Sequence, residues 1–442
     1  MHDITRRNLL ARGLKATTLA GLSPLMISNQ VASATESTAA SEGSAERKGS
    51  ADHCIFIWLG GGEGQIDTWD AKPKGDPKAK KAGSYYDPIS TAIDGVQITK
   101  PLSRCANVLD RFVLMRTVHH DTVDEHAAAT NRMHTGRRTS GTIIYPSIGS
   151  IVTHERPVQE KSIPPYVVMG YPNLTRGPGY LGAKYGYLYL TDTKAGPPAL
   201  RRPIGVSDDR AARRNQLLKQ LRNDFLSENE SEKVLADYDA TIESAQQLSG
   251  PKFAKLFQLE QENDALRESY GGEFGQRCLL ARRLVESGVR FVEVSHNLNF
   301  LNGTGWDVHN EGILNQHLLI DELDRALSTL VLDLEKRKML DRTLVVVSTE
   351  FGRPAGFDSR GGRGHHSGSF SVVLAGGGLK LGQAIGETDD RAMKILRNPV
   401  SVPDLFATVF TAMNIDPSKE LYAGERPVPI TDQGKPISAA FA

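Results

Sequence analysis

The chain has 442 residues, and its 53 Lys and Arg residues nearly balance 52 Asp and Glu residues, so no nucleic-acid partner is expected. The hydrophobic share of 39% is ordinary for a globular protein and excludes disorder over most of the length. Three cysteines, Cys54, Cys105 and Cys278, are too few for a disulfide framework or a four-thiolate zinc site.

The amino-terminal segment has the parts of an export signal in the expected order. Arg6 and Arg7 stand in a sequence that resembles a twin-arginine motif, and a mildly apolar stretch leads to a small-residue cleavage site ending at Ala34. That stretch is too short and too interrupted to predict a stable membrane span. We predict a twin-arginine-type signal peptide at 1–34 and a disordered linker at 35–50. Delivery by the twin-arginine export machinery would place the protein in the periplasm or outside the cell.

Beyond the linker, short apolar runs alternate with longer amphipathic segments. The valine-rich run 343–349 is the clearest strand, whereas 313–338 carries leucines at three- and four-residue steps, as a helix does. This alternation is typical of a largely parallel central sheet with helices on both faces. The other strands are predicted at 54–59, 112–118, 165–170, 290–295 and 369–375, and the other helices at 125–137, 208–248 and 252–287.

We predict one α/β domain from residue 51 to residue 442. A charge-rich helical insertion at about 205–287 is expected to lie outside the sheet, and 170–205, rich in Gly, Pro and Tyr, is expected to cover the site. No stretch of this domain is apolar enough to predict a membrane span. Ligands of such sheets bind beyond the carboxyl ends of the strands, so the residues that follow each strand are the candidates.

Three glycines follow the first strand at residues 60–62, and Asp67 comes shortly after them. Glycines in this position could hold a phosphate group, but the segment lacks the later acidic residue of a dinucleotide site. A tight turn that directs Asp67 toward the site is the better interpretation. The alternative is that Asp67 caps a helix or stabilises a turn, which are common roles for a single aspartate after a strand.

Histidines and carboxylates cluster after the second strand. His120 follows the strand, Glu125 and His126 begin the next predicted helix, and His134 lies eight residues later on the same helical side. A single histidine is more often structural than functional. Several histidines within a short segment, beside carboxylates, indicate a metal-binding or catalytic role.

Three later segments repeat this pattern. Asp307 and His309 lie two residues apart in a loop after a strand, and Glu350 directly follows the valine-rich strand. The alternative is that Asp307 caps the next helix while His309 is solvated. His365 and His366 come just before the last strand. Because adjacent side chains point in different directions, one of these two is expected to bind an ion, while the other contacts substrate or a carboxylate.

These side chains would meet at one end of the sheet. Carboxylate oxygens together with imidazole nitrogens suit Zn²⁺, Mn²⁺ or Fe rather than Ca²⁺. We expect one or two divalent ions, with Zn²⁺ or Mn²⁺ preferred, since paired ions stabilise both the attacking and the leaving oxygen of a transfer reaction. The predicted metal ligands are Asp67, His120, Asp307, His309, Glu350, His365 and His366.

Five sequence segments follow a recognisable order, and together they are specific although each alone is weak. They are Gly61-Gly62 with Asp67 to Pro73, Met133 to Gly136, Trp306 to His309, Glu350 to Arg353, and Ala375 to Gly378. Their order resembles the alkaline phosphatase–sulfatase superfamily and, more closely, a secreted bacterial family known as domain of unknown function 1501. The resemblance implies an alkaline-phosphatase-like sandwich fold and an exported, metal-dependent hydrolase of sulfate or phosphate esters, including esters of polymeric carbohydrate.

The resemblance also assigns roles by position. His126, nine residues before Thr135, occupies the place of the nucleophile in sulfatases. Glu350 matches an acidic residue of the superfamily, and Phe351 replaces a ligand histidine. The sulfatase Cys-x-Pro-x-Arg sequence is missing, which excludes a formylglycine nucleophile. Many members of the family have Asp before the last histidine, where this chain has Gly364, so a second ion would lose one ligand.

The attacking group stays open between metal-activated water and His126, which would act as nucleophile, ligand or acid–base group. The hydroxyl groups of Thr122 and Thr130 match a nucleophile less well. Arginine forms paired hydrogen bonds to anionic groups, and Arg353 is expected to act on the anionic ester. Further substrate contacts are predicted for Lys72, Arg137 and Arg363.

Two other interpretations compete with a hydrolase. The changed nucleophile position and the loss of the superfamily's Ser-Asp-His-Gly motif, here replaced by Ser348 to Gly352, favour a non-catalytic envelope binding protein that keeps the fold. The other is a structural envelope protein whose histidines only pack and cap. Metal content and ester turnover distinguish the three interpretations.

Overall fold

The computed structural model describes residues 49–441 with short gaps. The predicted signal peptide and nearly all of the predicted linker therefore lie outside the described residues. Within the described part of the chain, no helix is long and apolar enough to cross a membrane. The gaps are 159, 161, 171–173, 192, 194–195, 197–204, 229–234, 236, 238, 240, 243–250 and 299–301.

All six predicted strands are present, and their ends lie within one residue of the predicted limits. Their β-branched and aromatic residues suit a pleated, buried surface. Shorter strands extend the sheet or form small hairpins. The strands of the described residues are β1 (His53–Trp58), β2 (Pro88–Ser90), β3 (Gln97–Thr99), β4 (Phe112–His119), β5 (Tyr166–Met169), β6 (Leu188–Leu190), β7 (Phe291–Ser295), β8 (Thr343–Ser348), β9 (Phe370–Gly376), β10 (Gln383–Ile385), β11 (Glu387–Thr388), β12 (Ile395–Arg397), β13 (Val400–Ser401), β14 (Glu420–Ala423) and β15 (Arg426–Pro429).

The amphipathic segments form helices, and the leucine-rich segment predicted at 313–338 forms one of the two longest in this part of the chain. A 3₁₀ helix covers Asn310–Asn315, so the α-helix begins at Gln316, three residues after the predicted start. The described helices are α1 (Ser103–Asn107), α2 (His126–Thr135), α3 (Ile148–Glu155), α4 (Asp208–Glu228), α5 (Pro251–Ala254), α6 (Asp264–Tyr270), α7 (Glu273–Glu286), α8 (Gln316–Lys336) and α9 (Val402–Ala412).

Nine strands form one mixed sheet in the order β10-β4-β9-β8-β1-β7-β5-β6, with β13 also paired to β4. β9 runs antiparallel to both neighbours, and the other pairs are parallel. The prediction of a largely parallel central sheet flanked by helices is confirmed. Because β9 is reversed, the residues before it reach the same edge as the residues after β1, β7 and β8.

Both faces of the sheet are buried. Alternate residues of β1 point to opposite faces, so that Cys54, Phe56 and Trp58 join one hydrophobic cluster while Ile55 and Ile57 join the other. Helices α3 and α9 contribute to the first cluster, and α7 and α8 to the second. Burial on both faces explains why these strands are continuous apolar runs rather than alternating ones.

The helices predicted as an insertion differ in their environment. α4 is exposed along most of its length, as its charge-rich sequence predicts. α7 instead packs on the sheet, because Leu279 and Leu284 belong to the core beside β7 and α8. Its buried Arg282 is compensated by Glu262 at 2.8 Å and Asp333 at 3.0 Å. Ion pairing thus lets a charged sequence lie against the sheet, which its charge count alone does not predict.

A buried triad of charged groups joins α2 to β7. Glu293 is 1% exposed and accepts hydrogen bonds from Arg176 Nε and from His134 Nε2, the latter at 3.4 Å. His134 Nδ1 donates to the carbonyl oxygen of Thr130 at 2.9 Å, so His134 is engaged within the core. Burial alone would raise the pKa of Glu293, but Arg176 and His134 outweigh burial and lower it to about 2.

This triad predicts a pH-dependent contribution to stability. Because the pKa of Glu293 is lowered from 4.5 to about 2, its stabilisation is present above pH 4.5 and is lost as the pH falls toward 2. The free energy of unfolding of wild type should exceed that of Glu293→Gln by roughly 3 kcal/mol at pH 7, and the difference should shrink toward pH 2. Urea denaturation with a chelator measures it. The exposed Glu425→Gln is the control, and a pH-independent difference would contradict the assignment.

Candidate metal centre

Four side chains from one helix end and two loops converge at the carboxyl edge of the sheet. His126 begins α2, Asp307 and His309 lie in the loop after β7, and His365 lies in the loop before β9. One possible ligand atom from each lies within 4.8 Å of the others. The fold thus brings together four residues that the sequence singles out from three distant segments.

Asp307 Oδ1 lies at the centre of this cluster. It is 3.1 Å from Nε2 of His309, 3.5 Å from Nε2 of His126 and 3.7 Å from Nε2 of His365. The Nε2 atoms of His309 and His365 are 2.9 Å apart. Three imidazole nitrogens and one carboxylate oxygen form the donor set of a zinc or manganese site rather than of a calcium site.

A second carboxylate orients His126. The Nδ1 of His126 donates to Oε1 of Glu350 at 2.8 Å, and the same oxygen accepts the backbone N–H of Gly61 at 2.7 Å. Burial alone would lower the pKa of His126, but hydrogen bonds to Asp307 and Glu350 outweigh it and raise the pKa to about 9. A carboxylate behind a metal-binding histidine fixes the ring and makes it a better ligand.

Asp307 is held in its ionised form. Its Oδ2 accepts the backbone N–H of Gly303 at 2.5 Å, and its Oδ1 accepts a hydrogen bond from Arg353 Nη2 at 2.7 Å. Burial would raise the pKa of Asp307, but bonds to His126 and His365 and the charge of Arg353 hold it well below its usual range. A cation requires its carboxylate ligand in this ionised form.

One carboxylate joins the two histidine-bearing loops. Asp358 accepts the backbone N–H of Asn310 at 2.7 Å and that of Gly362 at 2.9 Å. Gly362 also packs so closely on Asn310 that a Cβ there would lie 2.3 Å from the Asn310 nitrogen. These contacts fix the loop of His309 against the loop of His365.

The glycine loop after β1 serves close packing. Gly61 has a φ of 119°, and a Cβ at this position would lie 2.5 Å from the backbone nitrogen of Asp307. Only glycine adopts this φ without strain and leaves space for the backbone of Asp307. The loop therefore allows the Asp307 loop to reach the cluster while the Gly61 N–H supports Glu350.

The cluster is partly open to solvent. The His309 side chain is 32% exposed, whereas those of His126 and His365 are 13% exposed and that of Asp307 is 2% exposed. A catalytic metal site keeps a position for water or substrate beside its protein ligands, and the exposed edge at His309 offers that position. The donor set and this exposure fit a divalent ion held by three or four side chains.

The structure places Asp67 in a different environment. Its carboxylate oxygens pair with Nε and Nη2 of Arg363 at 2.7 and 2.9 Å, and both side chains are fully buried. Arg363 also donates to the carbonyl oxygens of Pro354 and Gly83 at 2.8 and 2.7 Å. Neither Asp67 nor Arg363 is among the four converging residues, and their pair instead joins the loop after β1 to the loop before β9.

Two predicted histidine ligands lie beside the cluster rather than in it. His120 Nε2 donates to the carbonyl oxygen of Glu350 at 2.6 Å, and its Nδ1 accepts a backbone N–H. His366 Nε2 lies 3.3 Å from the hydroxyl of Ser369. Of the two adjacent histidines, the structure brings His365 into the cluster and directs His366 elsewhere. His120 and Glu350 support the cluster from behind.

The residues predicted to contact substrate form hydrogen bonds or ion pairs with other groups of the protein. Arg353 is fully buried and donates to backbone carbonyls of three loops around the cluster. Lys72 Nζ pairs with Asp70 at 3.0 Å. Arg137 pairs with Asp432 at 3.1 Å and donates to nearby carbonyl oxygens. In this structure the charged groups of all three side chains have protein partners.

Two contributors to the cluster gave only weak sequence signals. Phe351 packs against His365 with ring centroids 4.4 Å apart, although the sequence shows it only as a departure from a motif. Asp358 bridges the two histidine loops. An aspartate shortly before paired glycines is a turn signal, and this signal could have identified Asp358 as the residue that orders the loop.

The chain belongs to the family described as protein of unknown function DUF1501, whose model matches residues 51–441. The family resemblance predicted from the sequence motifs is thereby confirmed. Among curated proteins, none matches this sequence.

Several solved structures of low sequence identity are similar to this chain. A sulfatase from Pseudoalteromonas sp. is 10% identical over 83% of this chain and 68% of its own, with a TM-score of 0.38. The alkaline phosphatase of the Antarctic bacterium TAB5 is 12% identical over 82% of this chain and 98% of its own, with a TM-score of 0.35. A lipoteichoic acid synthase from Listeria monocytogenes is 9% identical over 86% and 74%, with a TM-score of 0.36.

Proposed function

We propose that this member of the DUF1501 family is an exported metal-dependent hydrolase of sulfate or phosphate esters, including esters of polymeric carbohydrate. One observation carries the proposal, namely the convergence of three imidazole nitrogens and one carboxylate oxygen within 4.8 Å at the carboxyl edge of the sheet. Ligand sites of α/β sheets lie at this edge. The substrate class rests on the resemblance of the sequence motifs to sulfatases and phosphatases.

The proposed metal ligands are His126, Asp307, His309 and His365. A bound divalent ion would polarise the ester and lower the pKa of water to about 7. In this proposal the ester approaches at His309, which is the most exposed of the four side chains, while Asp307 is buried. Glu350 and Gly61 keep His126 in place before substrate binds.

The alternative role for His126 is to handle a proton while Asp307, His309 and His365 hold the ion. Its Nδ1 proton is held by Glu350 at 2.8 Å, so proton exchange takes place at Nε2, which faces Asp307 at 3.5 Å. With a pKa of about 9 in the absence of metal, His126 carries a proton at neutral pH and can donate it to a leaving oxygen. Loss of that proton leaves an Nε2 lone pair for a metal ion or for attack.

A non-catalytic binding protein is the second candidate, and a specific contact favours it. Arg353 Nη2 lies 2.7 Å from Asp307 Oδ1, the oxygen at the centre of the cluster. A cation there would have to share this oxygen with a guanidinium group, which weakens metal binding through like-charge repulsion. Arg353 and Arg363 are also fully engaged by protein groups, so neither supplies a ready clamp for an anionic ester.

Metal content and turnover test the proposal together. Protein purified without chelators or a polyhistidine tag is analysed by elemental mass spectrometry and assayed for sulfate and phosphate release from aryl esters and sulfated polysaccharides. We expect one or two equivalents of Zn²⁺ or Mn²⁺ and measurable turnover. His126→Gln should reduce turnover at least about 100-fold, whereas His317→Gln, at an exposed histidine of α8, should not.

The other outcomes assign the protein differently. Bound metal without turnover across the panel would favour the binding protein. Absence of metal even after reloading would contradict the hydrolase and leave a binding protein without metal or a structural protein. Export is a separate part of the proposal and is supported by Arg6, Arg7 and the cleavage-like site that follows. Fractionation of cells that express the full chain tests it, and a purely cytoplasmic, uncleaved protein would contradict it.

A further inference from the structure

The guanidinium group of Arg363 is enclosed by oxygen atoms. Its Nε and one proton of Nη2 donate to the two carboxylate oxygens of Asp67 at 2.7 and 2.9 Å. Its other three protons donate to the backbone carbonyl oxygens of Gly83, Pro354 and Ala355 at 2.7, 2.8 and 2.8 Å. A guanidinium group has five N–H donors, so every one of them has an acceptor inside this fully buried site.

These acceptors form a site that suits a positive charge. The oxygen cage, as we call it, consists of the carboxylate of Asp67 and the carbonyl oxygens of Gly83, Pro354 and Ala355. Hard divalent ions in proteins are bound by oxygen atoms of these same kinds. Cζ of Arg363 also lies 4.2 Å from the ring centroid of Phe357, and an aromatic face attracts a cation. The chain thus supplies the positive charge of the oxygen cage from its own side chain.

The oxygen cage lies next to the proposed metal ligands. Arg363 precedes His365 by two residues, and the backbone carbonyl oxygen of Arg363 accepts a hydrogen bond from Nη1 of Arg353 at 3.1 Å. Nη2 of Arg353 donates to Oδ1 of Asp307 at 2.7 Å. Two hydrogen bonds through Arg353 therefore join the backbone of Arg363 to the central oxygen of the metal cluster.

The carboxylates of the cluster are already bonded to protein donors. Asp307 accepts hydrogen bonds on both oxygens, from Arg353 on Oδ1 and from the backbone N–H of Gly303 on Oδ2. Oε1 of Glu350 accepts from His126 and from a backbone N–H, which occupies both of its lone pairs. The four converging ligand atoms are as many as one tetrahedral ion takes, which favours a single ion over a bridged pair.

The charges of this region lead to the same count. Asp67, Asp307 and Glu350 carry three negative charges and the two arginines carry two positive charges, which leaves a net charge of −1. One divalent ion changes that net charge to +1, whereas two ions would raise it to +3. All five side chains are at most 2% exposed, and buried charge without compensation is costly.

We propose that Arg363 occupies a built-in cation site in place of a second metal ion, so that this edge of the sheet holds a single divalent ion. The ion itself rests on the proposed function, whereas the oxygen cage does not. Arginine stays protonated throughout the pH range of a folded protein, so its positive charge is permanent and needs no supply of metal.

A titration of metal-free wild type counts the ions. Zn²⁺ or Mn²⁺ is added in a calorimeter, and elemental mass spectrometry after gel filtration checks the bound amount. We expect one equivalent, and two equivalents would overturn the proposal. Absence of bound metal would instead contradict the proposed function, and it leaves the oxygen cage to be tested by the next experiment, which uses a chelator.

Removal of the guanidinium group tests the oxygen cage itself. Arg363→Ala leaves the buried Asp67 unpaired, so its melting temperature should be lower than that of wild type. Guanidinium chloride at about 20 mM should then raise the melting temperature of this variant by about 2 °C, because the ion binds only the folded cage. Urea at the same concentration and ionic strength is the control, since it has a similar shape and no charge. Wild type and Arg360→Ala, at an exposed arginine of the same loop, should gain nothing from either compound.

Each remaining outcome supports or overturns the assignment of the oxygen cage. Guanidinium that raises the melting temperature of Arg363→Ala no more than urea does would overturn it. If Arg363→Ala does not fold by circular dichroism, Arg363→Lys and Arg363→Met replace it, because both side chains are long and only lysine keeps the charge. We expect Arg363→Lys to melt at the higher temperature and to bind one equivalent of metal. Equal melting temperatures of these two variants would overturn the assignment.

Discussion

Replacement of both Asp307 and His309 by alanine should remove metal from the protein together with the stability that the metal provides. These two side chains supply two of the four converging ligand atoms, and Asp307 Oδ1 is the central one. Metal that binds the native state alone stabilises it by about 2.7 kcal/mol at a concentration 100 times its dissociation constant. Zn²⁺ or Mn²⁺ should therefore raise the melting temperature of wild type and leave that of the double variant unchanged.

The informative quantity is the difference in melting temperature between chelated and metal-loaded protein. Removal of Asp307 also leaves the buried Arg353 without its carboxylate partner, which lowers stability even without metal. Subtracting the melting temperature of each chelated variant from that of the same variant with metal removes this effect. Asp341→Ala combined with His317→Ala, at an exposed aspartate and an exposed histidine, is the matched control. If the Asp307→Ala, His309→Ala variant binds as much metal as wild type and gains as much in melting temperature from it, the cluster is not a metal site and the proposed function fails.

The features of the fold that can be predicted from the sequence are those that depend on residues close together along the chain. Apolar runs such as 343–349 specify buried strands, and leucines at helical steps specify α8, because both patterns are periodic along the chain. Asp307 and His309 lie in the loop after β7 and His365 lies in the loop before β9, and the topology places both loops at one edge of the sheet. The sequence therefore predicts the edge of the sheet at which these three residues meet, but it does not separate them from Asp67, His120, Glu350 and His366, which lie outside the cluster.

The partners of each side chain could not be predicted in the same way. His126 and Glu350 lie 224 positions apart in the sequence, and Asp67 and Arg363 lie 296 positions apart. No local pattern distinguishes a carboxylate that binds an ion from one that neutralises a buried arginine. The choice between His365 and His366 was open for a related reason, since it depends on how the loop before β9 meets the loop of His309.

The Asp67–Arg363 pair gives the second large prediction. Asp67→Ala should lower the free energy of unfolding by roughly 3–5 kcal/mol, because it leaves a fully buried guanidinium group without its partner. Urea denaturation in the presence of a chelator measures this loss. Asp87→Ala removes an exposed partner of Lys74 and should change stability by less than about 1 kcal/mol, which makes it the control for loss of an ion pair.

The same variants decide whether Asp67 neutralises an arginine or binds a metal ion. If the carboxylate only compensates Arg363, Asp67→Ala loses the same stability with and without metal, and its metal content stays at the wild-type level. Asp67→Leu combined with Arg363→Met should then recover part of the loss, since replacing a whole buried ion pair by apolar groups costs less than breaking it. If Asp67 is a ligand, metal content falls and the double variant recovers none of it.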